Sequence, residues 1–222
     1  MSVPDFLQHN MQQSLTLTWE HVWIVGLSLF IAICTAVPTG ILITRSERLA
    51  TKVIGAANIL MTIPSIALFG LMLPMFALIG QGLGKPPAIV ALVLYSQLPL
   101  IRNTYIAIKN VPAEIVDAGR GMGMTNWELL KEVEIPMAIP VILAGLRTAA
   151  VMCIGIAAIA AYIGAGGLGV FIQQGIDRVY EEMIVSGAVL VSLLAIVVDG
   201  SMAALEHLVT PKGIKVQREL GR

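Results

Sequence analysis

Charge is what this sequence has least of. Only 13% of its 222 residues are Asp, Glu, Lys or Arg, about half the share usual in a soluble domain. Hydrophobic residues make up 57% of the chain, and mean hydropathy is +0.85. A soluble core cannot hide that much apolar surface, so a soluble globular protein is excluded. Neither sign of charge prevails: 14 basic and 14 acidic residues cancel, and no basic field points to nucleic acid. There are two cysteines, Cys34 and Cys153, both inside apolar runs. That argues against a disulfide framework or a cysteine-rich metal site. The first 44 residues contain no Lys or Arg, so a signal peptide with a basic n-region is not expected. Neither end carries a lipidation motif.

What the chain has instead is long uncharged runs. A membrane-spanning helix needs about 20 largely apolar residues. Five segments qualify, at about 21–44, 53–80, 87–108, 138–163 and 183–205. The expected fold class is therefore all-α integral membrane, a single transmembrane unit over 21–206. The second segment is longer than a bilayer requires, and a kink at Pro64 or Pro74 would absorb the excess; two half-helices are the alternative. Flanking charge sets the orientation. Segments on one side hold only Lys85 and Arg178. The other side holds eleven basic residues: Arg45, Arg48, Lys52, Arg102, Lys109, Arg120, Lys131, Lys212, Lys215, Arg218 and Arg222. The N-terminus with its tail 1–20 is expected outside, and the C-terminal tail 207–222 in the cytoplasm. Trp19, Trp23 and Tyr180 fall near the outer boundary, where amphipathic rings are favoured.

One polar insertion, 109–137, is too long for a turn. Asn110 and Pro112 can open a short helix that ends in the cluster Gly119, Gly121 and Gly123. Thr125-Asn126-Trp127-Glu128 has the form of a capping box, opening a second helix expected to run to about Glu134 and stop before Pro136. The result is a helical hairpin on the cytoplasmic side, with Trp127 a candidate for exposure. It reads either as a solvated connector or as a docking surface for a soluble partner; loops of this length are often functional.

This segment resembles the EAA loop of binding-protein-dependent ABC importer permeases. That pattern is Glu-Ala-Ala, three residues, Gly, nine residues, then Ile-x-Leu-Pro. Here it stands as Asp117-Ala118-Gly119, then Gly123, then Val133-Glu134-Ile135-Pro136, with matching spacing. The one chemically distant departure is Gly119, which weakens the first helix locally. The resemblance extends over Met61-Thr62-Ile63-Pro64-Ser65, Leu98 to Tyr105, Ile163 to Gly169 and Leu208 to Gly213. These look like the subfamily that imports glycine betaine, carnitine, choline and related osmoprotectants. It implies a type I ABC importer permease fold in the bacterial cytoplasmic membrane. It also implies that Asp117, Ala118, Gly119, Gly123, Thr125, Trp127, Glu128, Val133, Ile135 and Pro136 form a coupling element docked on an ATPase. The implied partners are a cytoplasmic ATPase dimer that binds ATP and Mg, a second permease subunit (paralogue or identical copy), an extracytoplasmic solute-binding protein, and membrane lipid.

Other features are weaker. Gly164-Ala165-Gly166-Gly167-Leu168-Gly169 satisfies G-x-G-x-x-G but lacks the strand-to-helix setting of a dinucleotide site. Gly166 and Gly167 read as loop punctuation or part of an outer gate. Gly80 to Lys85 is one residue short of a Walker A spacing, and Pro86 follows the lysine, so no ATP site is expected on this chain. The three histidines show no metal spacing. Asp199 is the one acidic residue well inside a span, and Arg147 is its potential partner in a structural role. Pro64 with Ser65, and Pro99 with Ser96 and Gln97, are candidates for a pore wall, because prolines inside spans are tolerated beside protein or watery cavities.

The expected function is a permease subunit, not an enzyme, for osmoprotectant import. The alternatives are a permease for another small solute such as methionine and, with less support, an ATP-independent secondary transporter. The latter would need paired intramembrane charges, a repeat or a filter segment.

Overall fold

The computed structural model describes residues 2–209, which form helices joined by short turns, with no strand among them. The expected basic tail residues Lys212, Lys215, Arg218 and Arg222, and the stretch from Thr210 to Gly213, lie outside the described residues.

Helix α1 (Val3–His9) is opened by a capping box between Ser2 and Asp5. Helix α2 (Met11–Ile43) starts about ten residues before the expected span. The described part of the N-terminal tail is therefore largely helical. Phe6 anchors it, meeting Phe171 and Tyr180 edge-on at 5.5 and 5.7 Å.

The second apolar segment is two helices, α3 (Glu47–Thr62) and α4 (Ser65–Ala77), bent by 99°. The kink expected at Pro64 is a sharp break between two helices. Pro64 removes an N–H and forces Ile63 out of the helical region, to φ −70° and ψ 126°. The Tyr95 hydroxyl then donates to the freed Ile63 carbonyl at 2.5 Å. Pro74 sits inside α4 without breaking it.

Helix α5 (Lys85–Lys109) packs between α2 and the long helix near the middle of the chain. Glycines permit this. A Cβ on Gly40 would lie 2.6 Å from Thr104 Cβ, and one on Gly145 2.6 Å from Asn103 Cβ. Close approach at small residues is how helices associate where lipid removes the hydrophobic drive. Fully buried Ala32, Ala36, Ala88, Ala91, Ala149 and Ala150 continue the seam.

The hairpin consists of α6 (Ala113–Gly121) and α7 (Asn126–Glu128). The second arm does not stop before Pro136. It continues through a π-helical stretch, Leu129–Glu134, into α8 (Ile135–Ile159) and a 3-10 turn, Ala160–Ile163. The wider π turn accommodates the proline ring, which in a regular helix collides with the preceding turn. One rod of 38 residues, Asn126–Ile163, thus joins the hairpin to the far end of the bundle. Helices α9 (Gly169–Asp177) and α10 (Glu181–Val209) complete the described residues.

Four of these units are long and apolar enough to cross a membrane, or five if the bent pair counts as one span.

Candidate functional site

The hairpin is built by local rules. At the end of α6, the Gly123 N–H donates to the Arg120 carbonyl at 2.9 Å and the Met124 N–H to the Gly119 carbonyl at 3.1 Å. This pair of bonds is a Schellman motif, which needs a left-handed residue. Gly123 supplies it at φ +85°. The second arm opens on the capping box. Glu128 N–H donates to Thr125 Oγ1 at 3.3 Å, while the Thr125 N–H and hydroxyl donate to Glu128 Oε2 at 2.8 and 2.7 Å. Those two bonds hold the Glu128 carboxyl below the usual range.

The hairpin's inner face is closed. Gly119 is buried against Leu129, and Leu130 packs with Ala107, Ile108 and Ala138, with half-buried Ile135 beside them. Val133 and Pro136 are also half-buried. The outer face is open: Trp127 is 68% and Met122 77% exposed, and Asp117 and Ala118 also face out. Asp117 and Arg120 pair loosely at 3.7 Å. A cleft of about 700 Å³ separates the hairpin from the ends of α2 and α5, with Arg45, Lys109 and Glu134 on its walls. The structure therefore joins all the pattern residues in the hairpin and the start of the rod, but on two faces.

The opposite end of the bundle carries a cluster that sequence reasoning missed. Two successive residues of α2 hold the glycine loop after the rod. Glu20 Oε2 accepts from the Gly167 N–H, and His21 Nδ1 from the Leu168 N–H, both at 3.2 Å. Since Nδ1 accepts, the proton of this imidazole is on Nε2, which donates to the Ile154 carbonyl at 3.1 Å. Lys85 Nζ reaches Glu20 Oε1 at 3.1 Å and lies 5.8 Å from the Trp23 ring centroid. The Gly84 N–H donates to the Ile163 carbonyl at 2.8 Å. Gly166 and Gly167 have φ of +85° and +77°, and a Cβ on Gly166 would fall 2.4 Å from Glu20 Oε2. The only sequence signal was a carboxylate next to a histidine between two boundary tryptophans.

The pore-wall candidates separate. Ser96 is fully buried, donating to the Leu92 carbonyl and lying 3.0 Å from Cys153 Sγ. Pro99 is buried too, its carbonyl accepting from Asn103 Nδ2 at 2.7 Å. Neither faces outward from this chain. Pro64 is exposed and Ser65 half-buried at the bend. Gln97 reaches the surface and donates to Thr35 Oγ1 at 3.0 Å.

Arg147 on α8 and Asp199 on α10 form a bidentate pair, Nε to Oδ1 at 2.5 Å and Nη2 to Oδ2 at 2.6 Å. No group of three potential metal ligands occurs among the described residues.

The family described as "Binding-protein-dependent transport system inner membrane component" matches residues 17–211. The osmoprotectant import permease protein OsmW of Salmonella typhimurium is 51% identical over 97% of this chain and 100% of its own length. The glycine betaine/carnitine/choline transport system permease protein OpuCB of Bacillus subtilis is 45% identical over 97% of each chain. A crystal structure of the MetNI methionine ABC transporter in an inward-facing conformation superposes with a TM-score of 0.81. It shares 25% identity and covers 95% of this chain and 100% of that one.

Proposed function

The chain belongs to the family of binding-protein-dependent transport system inner membrane components, and from that premise we propose that it imports osmoprotectants such as glycine betaine, carnitine or choline. ATP hydrolysis takes place on a separate cytoplasmic ATPase dimer. A second permease subunit completes the pathway, and an extracytoplasmic binding protein delivers solute. The observation that carries the solute assignment is identity of 51% and 45% to permeases so named, over 97% of this chain. The methionine transporter has the same fold, but its identity is far lower.

In this reading the bent pair counts as one of five spans, the N-terminus is outside and the hairpin is cytoplasmic, as the eleven-to-two basic asymmetry supports. The hairpin's open face, centred on Trp127, docks on the ATPase. Its closed face transmits motion, because Leu129 and Leu130 tie it to the rod and to the end of α5. Tilting the hairpin tilts α8, which needs contacts that differ between the two states. Pro64, Ser65 and Gln97 contribute to the pore wall that faces the second subunit, and Ser96 and Pro99 serve packing. Affinity for a quaternary ammonium solute favours aromatic groups. This chain is only 5% aromatic, which supports recognition on the binding protein.

The test is ATP-dependent uptake by proteoliposomes holding the permeases, the ATPase and the binding protein. Glycine betaine, carnitine and choline are compared with methionine. Uptake of a quaternary ammonium solute is expected. Uptake of methionine alone rejects the solute assignment, and uptake without the ATPase rejects the importer mechanism.

A further inference from the structure

The loop at the end of the rod is held by two adjacent points of unequal strength. His21 is 1% exposed and Leu168 is fully buried, so their hydrogen bond is sealed in the packing. The neighbouring contact is open to solvent. The side chain of Glu20 is 29% exposed and that of Lys85 43% exposed. Glu20 is also shared. One carboxylate oxygen holds the Gly167 amide and the other the first residue of α5. A half-buried ion pair that solvent still reaches is weak enough to open and close within a working cycle.

The rod ends at this loop. Its 38 residues span roughly 57 Å at the helical rise, so tilting at the hairpin displaces the other end, next to Gly167. Gly166 and Gly167 allow the loop to turn, because both stand at positive φ where a side chain brings strain. Leu168, pinned by His21, is the fixed point.

We infer that Glu20 is a positioning residue for transport: with Lys85 it forms a releasable latch that holds the outer end of the rod, while His21 at Leu168 acts as the permanent hinge. Opening the latch frees Gly167 and the glycine turn beside the end of the rod, and reclosing it restores the resting state. No role for Glu20 or Lys85 follows from the loop pattern. The inference rests on the importer reading only for its consequence in transport. The contact itself is tested separately.

The experiment uses the assembled complex. Amide exchange is resolved at Gly167 and Leu168, and ATP hydrolysis is measured without binding protein. Glu20→Ala and Lys85→Met are expected to speed exchange at Gly167 but not at Leu168. They are also expected to raise basal hydrolysis roughly two- to five-fold, the shift that a solvent-accessible pair can supply. Lys85→Arg keeps the pair and restores slow exchange. Unchanged exchange at Gly167 overturns the latch. Faster exchange with hydrolysis and uptake unchanged also overturns it, by reducing the contact to local structure. Exchange that rises equally at Leu168 overturns the division into hinge and latch. A wild-type complex that hydrolyses no ATP with any solute rejects the importer reading instead, and exchange then decides the contact alone.

Discussion

Leu129 fills the space that a side chain on Gly119 would need: an added Cβ would sit 2.6 Å from Leu129 Cδ1 and 3.1 Å from Met124 Sδ. The glycine that departs from the family pattern is thus where the two arms of the hairpin touch. Gly119→Ala gains about 0.5–1 kcal/mol of helix propensity and asks only the far ends of two flexible side chains, Leu129 and Met124, to shift. It is expected to be close to neutral. Gly119→Leu overpacks the contact, at a cost of about 1–3 kcal/mol, and is expected to abolish uptake while the transmembrane helices still assemble. Uptake and complex yield, measured together for the two variants, check this.

The capping box carries a pH dependence. Glu128 accepts two hydrogen bonds in the folded hairpin, so its folded pKa lies below its unfolded value. The sign follows: the contribution is fully present above the unfolded carboxylate pKa and is lost as pH falls through the lower, folded one. Trp127 fluorescence in a Trp19→Phe, Trp23→Phe background is expected to stay constant at neutral pH and change only in the acid range. Glu128→Ala is expected to remove the transition.

At the bend, Tyr95→Phe deletes the only described donor to the Ile63 carbonyl. A lost hydrogen bond of this kind costs about 1–2 kcal/mol. Thermal inactivation of the purified complex is expected several degrees lower, with the fold intact. An unchanged midpoint would mean that Pro64 alone maintains the 99° angle.

Arg147 and Asp199 are expected to behave as a unit. Removing either leaves a lone charge on an apolar helix, which is unfavourable in a bilayer. Arg147→Met and Asp199→Leu are each expected to lower stability more than the double variant does, and a double-mutant cycle reads the coupling. If the double variant transports normally, the pair is structural.

How much was legible in the sequence depended on how local the cause was. The apolar runs marked the long helices, and Thr125 with Glu128 announced the cap that the structure contains. Unmatched charges at 147 and 199 pointed to each other across two apolar segments. The bend at Pro64 was legible as a perturbation but not as an angle, because Tyr95, which bonds the Ile63 carbonyl at the bend, lies far along the chain. Pro136 misled for the opposite reason. Proline usually ends a helix, but a π-helical stretch lets this one continue. The contacts of Glu20 and His21 with the loop join residues 147 apart in sequence, and no local pattern encodes such a contact. Ser96 and Pro99 were pore-wall candidates on chemistry alone, and their burial within this chain depends on packing that no local pattern encodes.

Coupling through the hairpin is tested most directly by solute-stimulated ATP hydrolysis of the complete complex, with Gly123→Val beside the wild type. Gly123 has open space around its Cβ position but stands at φ +85°, so valine strains the Schellman turn through its backbone, by about 1–2 kcal/mol. The expected result is that glycine betaine, carnitine or choline stimulates the wild type, and that stimulation is lost in the variant while the complex stays assembled. Full stimulation in an assembled Gly123→Val complex would contradict transmission through this hairpin.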